Sequence, residues 1–505
     1  MDTSIIDQIT PIIYTDFSES KRKIQKRSPN GNGGTVRNEA KMKHTLDMSK
    51  GSPLKALILF SLPIIIGNLF QQFYNLMDIA IVGNKLGVDA LAAVGATAAL
   101  YGLFLSLAYG FTNGFSLVIA RYFGAKDKKG LRVAIAHSFM ISAGVAIFLT
   151  MIAVLFTKPL LKLLRTPDVE LSYRYISVVL FCVVFMVFYN NLAGILRAVG
   201  NSVVPLIFLI IGSFCNIGMD YIFISYFGLG VFGAGLATVL SQVFSCIMCA
   251  LYLKNKCRDL LPEKADFAYN HGMMRDLFEN GLSMALMFSI VSVGSICLQF
   301  AVNNLGPTTV AAHTTARKID ETMMVVFAPL STACATYCSQ NLGAGRTDRI
   351  RKGIFTAFAL AFGVSLITIL VTFLYGDRLV RLVSGSDDPE LLRQGTLYLK
   401  LNIPFYFFLV ALVLLRSSLQ GIRYKTAPLI ASCVEMIGKV LIALVLVPRI
   451  GYMGIIVSEP IIWFTCSIIV GISFVLALKK LSGNTTESLL RKPLIRKMKL
   501  NKVHS

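Results

Sequence analysis

The sequence predicts an all-α membrane protein of twelve transmembrane helices, arranged as two parallel repeats of six. Three observations carry this. Hydrophobic residues make up 55% of the 505-residue chain and charged ones 15%, against about 25% charged in soluble domains, and the mean hydropathy is +0.67. Hydrophobicity divides the chain into twelve apolar segments, each of a length that crosses a bilayer, for which ~20 residues suffice. The second six segments repeat motifs of the first six.

Residues 1–50 come first. They are polar, with nine Lys/Arg against six Asp/Glu and an Asn30-Gly31-Asn32-Gly33-Gly34 run, a composition that reads as a disordered tail. An over-long translation start is one explanation for them. No cleavable signal is expected, because the first span is too long for a signal-peptide core. The twelve segments are 54–83, 89–120, 133–157, 171–199, 203–226, 232–255, 276–303, 307–341, 353–375, 391–420, 425–447 and 452–478. The longest loop, 256–275, carries Lys256, Arg258, Lys264 and Arg275, and reads as a cytoplasmic linker between an N-lobe (51–255) and a C-lobe (276–480). The segment 481–505 reads as a basic cytoplasmic tail on anionic lipid.

Orientation follows from Lys and Arg in the short loops. With the N-terminus inside, inner loops hold 17 (Arg121, Lys126, Lys128, Lys129 and Arg132 in the first) and outer loops hold 8, with eight more after the last span. The bias places both termini in the cytoplasm. The net charge of +22 therefore follows membrane topology, and no nucleic-acid partner is expected. The repeat is seen at an offset of 219: Leu86-Gly87 and Ala92-Ala93 match Leu305-Gly306 and Ala311-Ala312, and Gly124-Ala125 matches Gly343-Ala344. Leu196 and Pro205 match Leu419 and Pro428 at 223. Six spans per half is even, so the halves share one topology about an axis along the membrane normal. Such repeats belong to carriers that alternate access around a site between or within the halves. A channel is the alternative, and internal duplication favours a carrier.

Most of the ten cysteines lie in apolar spans without CxxC or Cys/His spacing; Cys334 and Cys338 read as small packing residues. No nucleophile–base or metal-ligand spacing supports a membrane-embedded enzyme.

Asp78 stands out in the first span. A carboxylate in hydrocarbon costs about 3 kcal/mol on insertion scales and persists where it faces a bundle interior or wet cavity. Asn68, Gln71, Asn75 and Asp78 follow at steps of 3, 4 and 3 and share one helix face, which must look inward. In the fifth span Asn216 and Asp220 lie four apart. Spans one and five run in the same direction, and Asp78 and Asp220 lie at similar distances from their outer ends, so they share a depth. A cation between them would relieve their repulsion: a proton, or Na⁺ held by oxygens to which Asn216 and Thr238 of the sixth span add theirs. The alternatives are interhelical hydrogen bonding for the first-span stripe, and a helix-end position at the interface for Asp220.

The second half holds a different set: Lys318, Asp320 and Glu321 in the eighth span, Glu435 and Lys439 as an i, i+4 pair in the eleventh, and Glu459 beside Pro460 in the twelfth. Four acids and two lysines can neutralise one another, and a structural ion network competes with a functional site. At offset 219 Asp78 corresponds to Cys297, so the halves are alike in scaffold and unlike in chemistry. Pro63, Pro329, Pro404 and Pro460 fall inside spans and can kink them. His137 and His313, the two histidines at membrane depth, read as packing residues.

The run Gln72-x-Tyr74-Asn75-x2-Asp78-x3-Val82-Gly83, then Leu86-Gly87 and Ala92-Ala93-Val94-Gly95, resembles the multidrug and toxic compound extrusion (MATE) transporters of bacterial type. So do Leu196-Arg197-Ala198-Val199-Gly200-Asn201-x3-Pro205, Asn216-x3-Asp220 and Gln340-Asn341-x-Gly343-Ala344-Gly345. The resemblance covers roughly residues 50–480. It implies a V-shaped pair of six-helix lobes exporting bulky, often cationic and aromatic compounds against inward Na⁺ or H⁺. It also implies a first-lobe cation site at Asp78, Asn216, Asp220 and Thr238, a Na⁺ site if Na⁺ is the coupling ion, and no other cofactor. A bacterial branch places further acids in spans seven and ten; this chain has none between Gly281 and Asn303 or between Leu401 and Gly421, so that second site is not transferred.

Substrate-path candidates are Gln71, Tyr74, Asn75, Asn190 and Asn191, with Phe70, Phe73, Phe181, Phe185 and Tyr189 as apolar contacts or packing. The expected partners are small-molecule drugs and the lipid bilayer, with the chain acting as a monomer in the plasma or inner membrane. The main rival is a flippase for a lipid-linked precursor, which needs several cations in its cavity; the sequence shows Lys318 and Lys439 there, with four acids nearby.

Overall fold

The computed structural model describes residues 45–163, 168–181 and 183–483. The tail expected at 1–50 and the basic tail at 481–505 fall almost wholly outside them, as do Arg165 and Cys182. Among the described residues all regular structure is helical. Eleven helices are long and apolar enough to cross a membrane, and a bent pair brings the spans to twelve. This matches the expected number.

The first half contains α1 (Pro53–Gly87) and α2 (Leu100–Gly124), two parts of one helical run Pro53–Gly124 whose helical geometry fails at Gly87, at φ 84°. Then come α3 (Lys128–Leu163), α4 (Val169–Phe181), α5 (Val183–Ala198), α6 (Val203–Tyr221) and α7 (Gly230–Lys256). The fourth span was expected as one helix over 171–199; it is the pair α4 and α5, bent by 41°. The second half contains α8 (His271–Asn303), α9 (Pro307–Met323), α10 (Phe327–Gly343), α11 (Thr347–Ser384), α12 (Pro389–Asn402), α13 (Tyr406–Gly421), α14 (Thr426–Leu441), the short α15 (Val447–Ile450) and α16 (Tyr452–Gly483). Spans eight and ten are each interrupted by a 3₁₀ turn, Met324–Val326 before Pro329 and Ile403–Phe405 around Pro404. An α-helix cannot carry a proline without losing a hydrogen bond, and the tighter turn absorbs the break.

The duplication reaches the backbone. Left-handed φ angles recur in pairs: Gly87 and Gly306, Lys126 and Gly345, Gly200 and Arg423, Gly230 and Gly451. Single π-turns follow α6 (Ile222–Tyr226) and α14 (Ile442–Leu446). The two halves meet along α2, which is 72% buried where the peripheral α11 is 28% buried. Tyr109 and Phe288 pack with ring centroids 5.9 Å apart, and Ser106 meets Ser292 at 3.4 Å.

The C-terminal ends of α2 and α10 cross with pseudo-two-fold symmetry. A Cβ on Gly124 would fall 2.0 Å from the Gln340 carbonyl oxygen, and one on Gly343 would fall 1.9 Å from the Arg121 carbonyl oxygen. Gly124 and Gly343 are equivalent at offset 219, and so are Arg121 and Gln340. Glycine is required at both points because backbone occupies the space of a side chain. The same crossing carries an ion pair between the halves, Arg121 with Asp276. The segment after Asp47 is tied to it: Gln340 Oε1 accepts the Met48 N–H at 2.9 Å and Gln340 Nε2 donates to the Ala198 carbonyl at 2.9 Å.

Candidate functional site

Asp78 on α1 and Asp220 on α6 lie within hydrogen-bonding reach of one another. Asp220 is fully buried and Asp78 half-buried. Each keeps one carboxylate oxygen, Oδ1, enclosed and without a hydrogen-bond partner. Buried polar atoms are nearly always paired, so two orphaned oxygens on adjacent carboxylates define a place for a positive charge. Among the described residues no Lys or Arg forms an ion pair with either. Asn216 donates through Nδ2 to Asp220 Oδ2 at 3.3 Å, and its Oδ1 accepts the Thr238 N–H at 3.2 Å. The Thr238 hydroxyl donates to the Ala234 carbonyl at 3.2 Å, which leaves its lone pairs free to accept. The four expected residues are thus gathered; Asp78, Asp220 and Thr238 present oxygens, a set that suits a proton or a hard cation, and Asn216 holds Asp220 in place. No cluster of three or more His, Cys, Asp or Glu fit for a metal occurs among the described residues.

Two tyrosines face the pair, and a third, Tyr101, lies beside them. Tyr74 is hydrogen-bonded to Gln71 and lies within electrostatic reach of Asp78, Asp220 and Tyr101. Tyr175 of α4 also faces both carboxylates. Tyr101 of α2 hydrogen-bonds Met186 Sδ at 3.9 Å. Tyr74 was an expected substrate-path residue. Tyr101 and Tyr175 were not, because a lone tyrosine in an apolar span gives no spacing signal.

The other path candidates separate. Gln71 is half-buried and Asn75 exposed. Asn190 returns to its own helix, donating to the Met186 carbonyl at 2.9 Å. Asn191 is 1% exposed and donates to Ser138 Oγ at 3.3 Å, so it packs α5 against α3 and lines no path. His137 is spent on packing: Nδ1 bonds the Val133 carbonyl at 2.9 Å and Nε2 accepts the Asn270 N–H at 3.1 Å.

In the second half the polar residues form one network. Glu435 receives Arg416 at 2.9 Å and Lys439 at 3.2 Å; Lys439 also reaches Glu459 at 3.4 Å. Asp320, fully buried, accepts the Tyr406 hydroxyl at 2.5 Å and pairs with Arg317 at 3.3 Å. Arg317 also pairs with Glu321 at 3.6 Å. The Tyr406 bond joins the two interrupted spans at their breaks. Two expectations need correction. Lys318 was placed in this network, but it is exposed and forms no ion pair among the described residues; it lines the cavity beside the network instead. Besides the lysines, Arg317 and Arg416 supply two cations that were not expected there. Both are bound to acids, so the network presents no excess of positive charge. A cavity of about 320 Å³ opens beside it, lined by Ser295, His313, Arg317, Glu321, Tyr398 and Glu459 among others.

Duplicated six-helix halves around α2, with a carboxylate pair held at membrane depth, define a membrane carrier of alternating-access type. The MatE family model matches residues 63–222 and 283–445, and the chain belongs to the MATE family. It is 26% identical over 364 residues to "Probable multidrug resistance protein YoeA" of Bacillus subtilis (strain 168), covering 70% of this chain and 77% of that one. Among solved structures it is similar to a MOP-superfamily transporter from Pyrococcus furiosus whose binding pocket is described as of reverse polarity. The TM-score is 0.80, with 25% identity over 86% of this chain and 98% of that one. An outward-facing multidrug-resistance MATE transporter matches with a TM-score of 0.79 and 26% identity, covering 86% and 98%.

Proposed function

We propose that this protein exports bulky, mostly cationic aromatic drugs in exchange for Na⁺ or H⁺, by alternating access. The observation that carries this is the Asp78–Asp220 pair, two adjacent carboxylates at membrane depth with one unpartnered oxygen each and no cationic side chain bound to them. A site of that charge binds either the coupling cation or a cationic drug. The two compete for one negative charge, and exchange follows from linkage: whatever binds one state better shifts the population toward it. Asn216 orients Asp220, Thr238 offers a further oxygen, and the tyrosines offer hydroxyls and aromatic faces that suit a flat cation. The chain is placed in the cell membrane with both termini in the cytoplasm, working as a monomer without a cofactor.

The test is ethidium efflux from proteoliposomes under an imposed Na⁺ gradient and, separately, a pH gradient, with wild type beside Asp78→Asn. One gradient driving wild-type export and failing with Asp78→Asn is the expected result. Equal transport by both proteins would overturn the reading.

A further inference from the structure

The two halves place equivalent residues at equivalent points, and the second half has put something unusual there. Gly230 and Gly451 share a left-handed conformation at φ 59° and 60°, which sets the offset for α7 and α16 at 221. At that offset Thr238 corresponds to Glu459. At the offset of 223 that relates Pro205 to Pro428, Asn216 corresponds to Lys439. The two pairs join the same helices: the Asn216 amide oxygen accepts the Thr238 backbone N–H in the first half, and Lys439 Nζ meets the Glu459 carboxylate at 3.4 Å in the second. Lys439 Nζ also meets Glu435 at 3.2 Å and donates to Ser295 Oγ at 3.1 Å. All three partners offer oxygen. Lys439 is 2% exposed, Glu435 4% and Glu459 7%.

Charge separates the halves. The first-half acids have no equivalents by position, since Asp78 corresponds to Cys297 and, at 223, Asp220 to Ala443; the second half brings its acids from other positions. The second-half core carries Glu435 and Glu459 against Arg416 and Lys439, and is neutral. A buried acid pair is tolerated only when compensated, and the ammonium of Lys439 supplies that compensation in the position equivalent to Asn216.

We infer that Lys439 is a tethered cation: its ammonium permanently fills the second-half counterpart of the first-half cation site, and this counterpart, once vacated, binds a monovalent alkali cation or a small alkylammonium ion. The inference rests on the reading of Asp78, Asn216, Asp220 and Thr238 as a cation site. Its consequence is that one half exchanges its cation during transport while the other keeps its own, so a cycle has one coupling site. The cavity lined by Ser295 and Glu459 gives a small ion a route to the vacated place.

The experiment is thermal unfolding of purified Lys439→Ala in detergent at constant pH, in methylammonium, Na⁺ or N-methylglucamine chloride at equal ionic strength. Lys439→Ala should melt at least ~5 °C below wild type, because Glu459 loses its ion-pair partner and Glu435 one of the two it has among the described residues. Methylammonium or Na⁺ should recover about half of that loss or more, and N-methylglucamine, too bulky for the place, should recover none. Equal melting in all three salts overturns the inference, because a merely structural ion pair has no site to refill. If Lys439→Ala folds in no salt, Lys439→Asn decides. It installs the residue type of Asn216, and in an Asp78→Asn background it should gain a Na⁺- or methylammonium-dependent stabilisation that Asp78→Asn alone lacks; no gain overturns the inference. The two readings fail separately. Loss of transport in Asp78→Asn with no cation response at Lys439 keeps the coupling site and removes the tethered cation. Unimpaired transport in Asp78→Asn with a clear response does the reverse.

Discussion

Among the described residues, the first half sets two acids side by side with no Lys or Arg paired to them; the second half holds its acids in ion pairs. The backbone is the same in both, down to the left-handed residues at Gly87 and Gly306 and at Gly200 and Arg423. The difference teaches that duplication transmits geometry and leaves charge free to diverge. A backbone turn is fixed by sterics that every copy must satisfy. A buried carboxylate can be satisfied by a mobile cation or by a resident one, and each half has taken a different solution. The first solution exchanges and so can do work against a gradient; the second holds its ions and fixes the interrupted spans eight and ten.

The largest effect should come from breaking the first side of this contrast. Asp78→Asn removes one of the two negative charges and should lower gradient-driven ethidium efflux at least ~10-fold, because one pKa-independent charge is worth well over 1.4 kcal/mol at a poorly solvated site. Breaking the second side should cost stability first. Arg416→Met leaves Glu435 with Lys439 alone and should destabilise the protein by about 3 kcal/mol, read as a lower melting temperature; an unchanged melting point would mean that Glu435 does not need the arginine. The symmetric crossing comes next. Gly343→Ala would drive a methyl group into the Arg121 carbonyl at a cost of about 1–3 kcal/mol. It should raise labelling of a cysteine placed at Ala125 from the inner side. Tyr101→Phe removes the bond to Met186 Sδ and should cost about 1 kcal/mol at most, read as a small fall in melting temperature. Smallest is Arg275→Ala, which removes an exposed pair with Glu279 and should change neither transport nor melting.

Much of the first-half site was legible in the chain. Asn216 and Asp220 share a face by their spacing of four, and counting residues from the helix ends put Asp78 at the depth of Asp220. Both steps use only helix geometry. Arg317 was legible too, three and four residues before Asp320 and Glu321, and was overlooked because it was read as part of no loop. Arg416 was not: its partner Glu435 lies on the next helix, and which face of α13 meets α14 depends on packing. Tyr101 and Tyr175 stayed hidden for the same reason, and Asn191 misled because an inward polar residue can face a neighbouring helix as easily as a cavity.

The sequence by itself determined the twelve spans, the duplication and the depth of the acids, since these depend on hydrophobic length, periodicity and residue counting along single helices. Only the tertiary structure decided which charges are bound and which are left open. Pairing between helices is set by side-chain packing at distances of about 3 Å, and that information is shared among residues on different helices, as far apart as Arg121 and Asp276.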